Sequence, residues 1–142
     1  EFVRQVRGVK YYNDAIATSP ARAIAGLHSF DQKLIVIAGG YDKKIPFDAY
    51  GEEACRHVKL LILNGATAPK LRQAVENAPS YKDCGIRIAE KATLEEAVQF
   101  AWEQAQPGDI VTLSPVCASF DAYPNFMTKG RAYKEMVLRL CE

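Results

Sequence analysis

Four cysteines, two histidines and one tryptophan in 142 residues leave little material for several kinds of site. Cys55, Cys84, Cys117 and Cys141 are widely spaced with no C-x-x-C pair, and His28 stands apart from His57, so spacing gives no support for zinc and no metal site is expected. The thiols read as structural, with Cys117 set aside because it lies in a motif treated below. No G-x-x-x-x-G-K-[ST] phosphate loop occurs, and no G-x-G-x-x-G follows a strand-like run, so the usual cradle for ATP phosphates or a dinucleotide must come from elsewhere if a nucleotide is used. A formal net charge of +1 supplies no electrostatic reason for a nucleic acid or an acidic membrane as partner. No apolar run approaches the roughly 20 residues that span a bilayer and no secretory signal is visible, so no membrane association and a cytoplasmic location are expected. The chain opens at Glu1 without an initiator Met, as a piece of a larger protein would.

What is present is ordinary globular material. Apolar residues at 49% and charged residues at 25% argue against disorder. The length suits one domain burying about two-thirds of its unfolded surface. Residues 2–12 read as two short strands about a turn at Arg7-Gly8. Ser19-Pro20 reads as a helix start, with Ala23, Ile24, Leu27 and Phe30 as the buried face. The run 34–38, ending in Gly39-Gly40, has the continuous apolar character of a strand buried on both faces. Comparable runs at 60–63, 86–88 and 110–113 follow at intervals of about 25 residues, the length of one βαβ unit.

Helical patterns fill the intervals. Thr93 with Glu96 forms a capping box ahead of an apolar stripe that includes Leu94, Ala97, Val98 and Ala101, and Trp102 on that stripe reads as core. Asp48 and Thr67 read as helix caps, and Asp121 as the cap of a final helix reaching Leu140. The predicted fold is therefore α/β, a doubly wound, mainly parallel sheet flanked by helices with the hairpin at its edge, in one domain spanning residues 1–142. In such sheets ligands bind beyond the carboxyl ends of the strands.

Four loops lie at those ends, 13–18, 39–47, 64–67 and 114–126, and three of them carry candidate groups. In 13–20, Asp14 and Thr18 precede a capped helix whose free N–H groups suit a carboxylate or phosphate, or else Asp14 and Ser19 only shape a turn. In 39–47, two glycines allow close backbone approach and Lys43 can form a charge-assisted bond to a substrate carboxylate, or else is a solvated surface lysine. In 114–126, Ser119 can donate a hydroxyl hydrogen bond and the backbone N–H of Phe126 can bind an anion. Ser119 has no base near it in sequence and does not read as a nucleophile.

Tyr12-Asn13-Asp14 with Ala17-Thr18, then Ala38-Gly39-Gly40 with Lys43, then Pro107-Gly108-Asp109 leading to Leu113-Ser114-Pro115, Cys117 to Asp121, and Asn125-Phe126 with Gly130, resemble the C-terminal domain of the Mur ligases in their D-glutamate-adding branch. The likeness covers essentially the whole chain, and the last block is the most specific. It implies a Rossmann-like closing domain of an ATP-dependent amide-forming ligase of peptidoglycan synthesis, inactive alone. ATP would phosphorylate the L-alanine carboxylate of UDP-N-acetylmuramoyl-L-alanine, and the amine of D-glutamate would attack the acyl phosphate. The N-terminal and central domains, absent from this chain, would bring most of the ATP and Mg2+ site. The resemblance assigns Thr18 and Lys43 to one end of D-glutamate, Ser119 and the Phe126 backbone to its side-chain carboxylate, and Asp14 to the nucleotide side. No catalytic residue is confined to the domain.

One departure stands out. Where many members read Asn-Asp-Ser-Lys-Ala-Thr, this chain has Ala15 and Ile16, so a lysine near the site is missing. The rival readings are a Mur-type ligase adding another amino acid, a folylpolyglutamate synthase-like domain, and a non-catalytic Rossmann-like binding module.

Overall fold

The computed structural model describes residues 1–41, 44–118 and 123–140. Strands β1 (Phe2–Val6) and β2 (Val9–Asn13) pair antiparallel with Val6 opposite Val9. Their two-residue turn puts Arg7 at φ 53° and Gly8 at φ 78°, the left-handed pair that matches the twist of a tight hairpin. Helix α1 (Pro20–Leu27) begins as expected, the Ser19 hydroxyl accepting from the Arg22 amide at 3.3 Å, but it ends before Phe30. Then follow β3 (Leu34–Ala38), α2 (Asp48–His57), β4 (Val58–Leu63), α3 (Ala68–Glu76), the single turn α4 (Tyr81–Cys84), β5 (Arg87–Glu90), α5 (Leu94–Gln104), β6 (Ile110–Leu113) and α6 (Phe126–Leu138).

The strand order is β1-β2-β6-β3-β4-β5, with β2, β6, β3, β4 and β5 mutually parallel and β1 antiparallel at the edge. Period-two alternation along β3 divides the interior in two. Leu34, Val36 and Ala38 join the core under α1, α2 and α3, while Ile35 and Ile37 join the core that holds Leu94, Ala97 and Val98 of α5 and Tyr133 and Val137 of α6. Each fully buried Leu or Ile contributes about 1.5–3 kcal/mol relative to exposure, so a strand with all five residues buried is fixed in register.

Three caps differ from the sequence reading. Asp48 is the first helical residue of α2, not its cap; Phe47 holds that position without a side-chain bond. Thr67 does precede α3, but its hydroxyl is used on Gly40 instead of the helix. The cap of α6 is Asn125, whose Oδ1 accepts from the Thr128 amide at 2.8 Å, and Asp121 lies outside the described residues.

The chain leaves β2 and β3 toward α1 and α2 on one face, whereas it leaves β6, which lies between them, toward α6 on the other. That reversal opens a crevice at the carboxyl ends of these strands. At the opposite end of the sheet, the Arg4 guanidinium donates to the carbonyls of Val137, Leu138 and Leu140 at 3.0–3.2 Å, joining β1 to the C-terminus of α6. Among the described residues no helix is long and apolar enough to cross a membrane.

Helices α2 and α3 touch at Gly51, where an added Cβ would stand 2.2 Å from the Ala74 carbonyl oxygen. Gly51→Ala is expected to lower the unfolding free energy by about 1–3 kcal/mol through forced separation of the helices. A fall in the urea midpoint with an unchanged slope would register it.

Candidate substrate-binding rim

Gly39 and Gly40 carry β3 out of the sheet in conformations that side chains rarely adopt, with φ of 119° and 159°. A Cβ at Gly39 would lie 1.8 Å from the Asn64 carbonyl oxygen, and one at Gly40 would lie 2.3 Å from the Ala118 carbonyl oxygen, so only glycine lets these backbones meet. The pair is held from several sides. The Gly39 amide donates to the Pro115 carbonyl at 2.9 Å, and the Gly40 amide to Thr67 Oγ1 at 3.0 Å. Thr67 Oγ1 lies 3.2 Å from the Gly40 carbonyl and receives the Cys117 thiol at 3.2 Å, which gives that buried cysteine a polar contact as well as packing. Lys129, only 3% exposed, reaches from the first turns of α6 to the Gly39 carbonyl at 3.0 Å.

The loop after β2 is joined to the same assembly. The Asp14 amide donates to the Leu113 carbonyl at 2.9 Å, the Val116 amide to the Ala17 carbonyl at 2.8 Å, and Asn13 Nδ2 to the Gly130 carbonyl at 3.3 Å. Val116 adopts φ 67°, a left-handed conformation costly for a β-branched residue, while its side chain is fully buried. Strain of this kind costs about 1–3 kcal/mol and is retained where the surroundings over-determine it.

Of the residues expected at the site, Thr18 is half-buried in the first loop, its amide on the Ile16 carbonyl at 2.8 Å. Phe126 is the first residue of α6 and, with Asn13, Ala15 and Ile16, lines a depression of about 460 Å³. Its backbone N–H belongs to the first helical turn, where no intrahelical carbonyl is available to it. Lys43 and Ser119 lie outside the described residues. The segments that lead to them are bridged: Tyr41 pairs with Ala118 in an isolated antiparallel bridge, the Tyr41 amide on the Ala118 carbonyl at 2.7 Å. Ile16, where the resemblance leads one to expect lysine, is 49% exposed at the rim.

Asp14 faces the other way, into a cavity of about 400 Å³ lined by Tyr12, Leu27, Phe30 and Ser114 among others. Its carboxylate lies over α1 at Gly26, where a Cβ would come within 2.7 Å of Oδ2. Burial pushes the Asp14 carboxyl above its ordinary value, partly offset by the amino-terminal charge. The buried Ser114 hydroxyl has no hydrogen-bond partner among the described residues. The cavity thus sets the carboxylates of Asp14 and Glu1, the Arg22 guanidinium and the hydroxyls of Tyr12, Ser29, Thr112 and Ser114 among apolar side chains. Lys129 and Gly26 are rim-shaping residues that the sequence reading missed, and Thr67 falls in the strand-end loop 64–67 without its hydroxyl having been assigned there. Thr67 carried a helix-start signal that concealed its tie to Gly40, and nothing local in Phe126-Met127-Thr128-Lys129-Gly130 marks its lysine as buried.

The family model for the Mur ligase glutamate ligase domain matches residues 1–117. UDP-N-acetylmuramoylalanine–D-glutamate ligases of Clostridium botulinum (strain Kyoto / Type A2) and Clostridium beijerinckii are each 54% identical over 140 residues, covering 99% of this chain. The chain spans 31% of the length of each of these relatives. Among solved structures, a UDP-N-acetylmuramoyl-L-alanyl-D-glutamate–2,6-diaminopimelate ligase superposes with TM-score 0.65 at 18% identity, over 99% of this chain and 32% of its own. A murein peptide ligase from Psychrobacter arcticus superposes with TM-score 0.62 at 13% identity, over 100% of this chain and 30% of its own. At such identities these two report on fold alone.

A carboxyl with a raised folded-state pKa keeps its proton in the native protein at pH values where the unfolded chain has lost it. Native Asp14 therefore favours unfolding progressively as pH rises from the ordinary carboxylate value through its own raised one. Asp14→Asn is expected to raise the melting temperature at neutral pH, with the difference closing below about pH 4. Thermal melts of both proteins across pH 3–8 would test this, and a gap independent of pH would contradict it.

Proposed function

The chain belongs to the Mur ligase family, matching its glutamate ligase domain, and from that membership we propose that it is the C-terminal domain of a ligase that adds D-glutamate to UDP-N-acetylmuramoyl-L-alanine. The observation that carries the reading is the 54% identity to D-glutamate ligases along 99% of this chain. The convergence of three strand-end loops at one crevice supports it. In the complete enzyme ATP would phosphorylate the L-alanine carboxylate, and the amine of D-glutamate would displace phosphate from the acyl phosphate, forming an amide. Excluding water from that hydrolysable intermediate is the physical reason for a closing domain.

D-Glutamate carries two carboxylates, and holding it in one orientation calls for two separated sets of donors. We assign Thr18 and Lys43 to one end, and Ser119 with the Phe126 backbone N–H to the side-chain carboxylate. The half-buried position of Thr18 and the unshared first-turn amide of Phe126 suit these roles. Asp14 would stand on the nucleotide side, where the cavity under Tyr12 and Phe30 offers apolar walls beside Arg22, Glu1 and several hydroxyls. Magnesium on ATP phosphates takes protein carboxylates together with phosphate and water oxygens. Among the described residues the carboxylates lining that cavity are Asp14, whose burial favours its protonated form, and Glu1, which is paired with Lys134, so the described residues do not make a Mg2+ site. The phosphate loop and metal ligands are assigned to the missing central domain, and a cytoplasmic location follows from the soluble precursor.

The 142-residue chain alone is expected to have no ligase activity, and joining it to its N-terminal and central domains should restore phosphate release that depends on D-glutamate. Turnover with another amino acid in place of D-glutamate would overturn the assignment. In that complete enzyme, Lys43→Ala is expected to raise KM for D-glutamate about 10- to 150-fold, the equivalent of a 1.5–3 kcal/mol charge-assisted bond, with little change for ATP. Ser119→Ala should raise it by about 2- to 10-fold without altering the melting temperature. Equal effects on both substrates, or a large loss of stability, would contradict these roles.

A further inference from the structure

The two histidines, distant in sequence, meet in space. His28 closes α1 as its C-cap, and Glu53 and His57 lie one turn apart on one face of α2. Nε2 of each ring approaches the same oxygen, Glu53 Oε2, at 3.0 Å from His28 and 3.2 Å from His57, and the ring centroids are 4.6 Å apart. All three donor atoms lie within 4.8 Å of one another. A tetrahedral ion with bonds of about 2.0–2.1 Å holds its donors roughly 3.3 Å apart. The two nitrogen–oxygen separations already have nearly that spacing. The third can close by rotation of side chains that are 53%, 24% and 30% exposed at His28, Glu53 and His57.

We propose that His28, Glu53 and His57 form a binding site for a divalent transition-metal ion of the Zn2+ or Co2+ type, which clasps the end of α1 to α2. The ligand chemistry selects the ion: two imidazoles with one carboxylate suit zinc, cobalt or nickel and disfavour magnesium and calcium, which take oxygen donors. The helix ends favour a cation as well. Both α1 and α2 terminate at the site, so the negative poles of two helix dipoles point toward it. Glu53 is held below its ordinary value, and so ionised as a ligand must be, chiefly by the hydrogen bond it accepts from His28, with the Arg56 charge adding to it. Arg56, the nearest competing cation, has its guanidinium on Glu52 at 2.8 Å.

The site lies at the opposite end of α1 from the Thr18-Ser19 loop, about 12 Å along an eight-residue helix. It is therefore separate from the rim. Its bound ion would anchor the far end of the helix that begins at that loop.

The test is a titration of the chelator-treated 142-residue chain with Co2+ and Zn2+, followed by visible absorption, calorimetry and thermal melting. The expected result is one ion per chain, cobalt d–d bands without a thiolate charge-transfer band, and a higher melting temperature with Zn2+ but not with equal Mg2+. His28→Gln, His57→Gln and Glu53→Gln should each weaken binding by about tenfold or more, in line with losses seen when metal-site groups are removed. Their far-UV circular dichroism should be unchanged. Because the cobalt spectrum of the unaltered chain reports ligand identity directly, misfolding of a variant does not remove the test. Thiolate bands in that spectrum, unweakened binding in well-folded variants, or no saturable binding at millimolar metal would overturn the proposal.

Discussion

Two consecutive glycines at the end of the central strand are the point on which the rim depends. Through Gly39 and Gly40, strand β3 is bonded to the loop after β6, to the start of α3 and to the first turns of α6, four elements meeting on two residues. Two of the partners are buried groups with strong requirements. Thr67 would leave its buried hydroxyl proton without the Gly40 acceptor, and Lys129 would have to move a buried ammonium off the Gly39 carbonyl. The cost of releasing either is therefore larger than the net worth of one hydrogen bond. That asymmetry keeps the strand ends in one arrangement.

The same physics explains why the fold was legible. Continuous apolar runs at regular spacing, separated by helical stripes that can cover them, fit strands of a doubly wound sheet; β3, β4 and β6 are buried as that pattern expects, whereas β5 at the sheet edge is not. Ser19-Pro20 and Thr93 announced their helices through local chemistry, and both side chains do cap them. Thr67 and Asp48 carried the same local signal without making the bond. For Thr67 a tertiary partner, the Gly40 backbone, outcompetes the helix start for its hydroxyl. Asn125, passed over for Asp121, caps α6 because helix position is set by Tyr133 and Val137 reaching the core and not by the choice between two capping residues.

The rim was legible in part. Strand-end loops could be read because apolar runs mark where the strands stop, whereas the binding role of the block from Ser114 to Phe126 rests on its resemblance to one family. Lys129 and Gly26 could not, since each matters only through a contact with a distant residue: Lys129 with Gly39, and Gly26 by leaving room for the carboxylate of Asp14. The histidine pair shows the same limit from the other direction. Separation along the chain argued against a metal, whereas the packing of α1 on α2 sets both imidazoles against one carboxylate.

Arg4 gives the molecule a mechanical character. By clamping β1 onto the last carbonyls of α6, it couples the outermost strand to a thirteen-residue rod, about 20 Å long, whose far tip is Phe126. The rod is also pinned near that tip by Lys129 on Gly39. Force applied to the outermost strand is therefore carried along α6 toward the lip at Phe126.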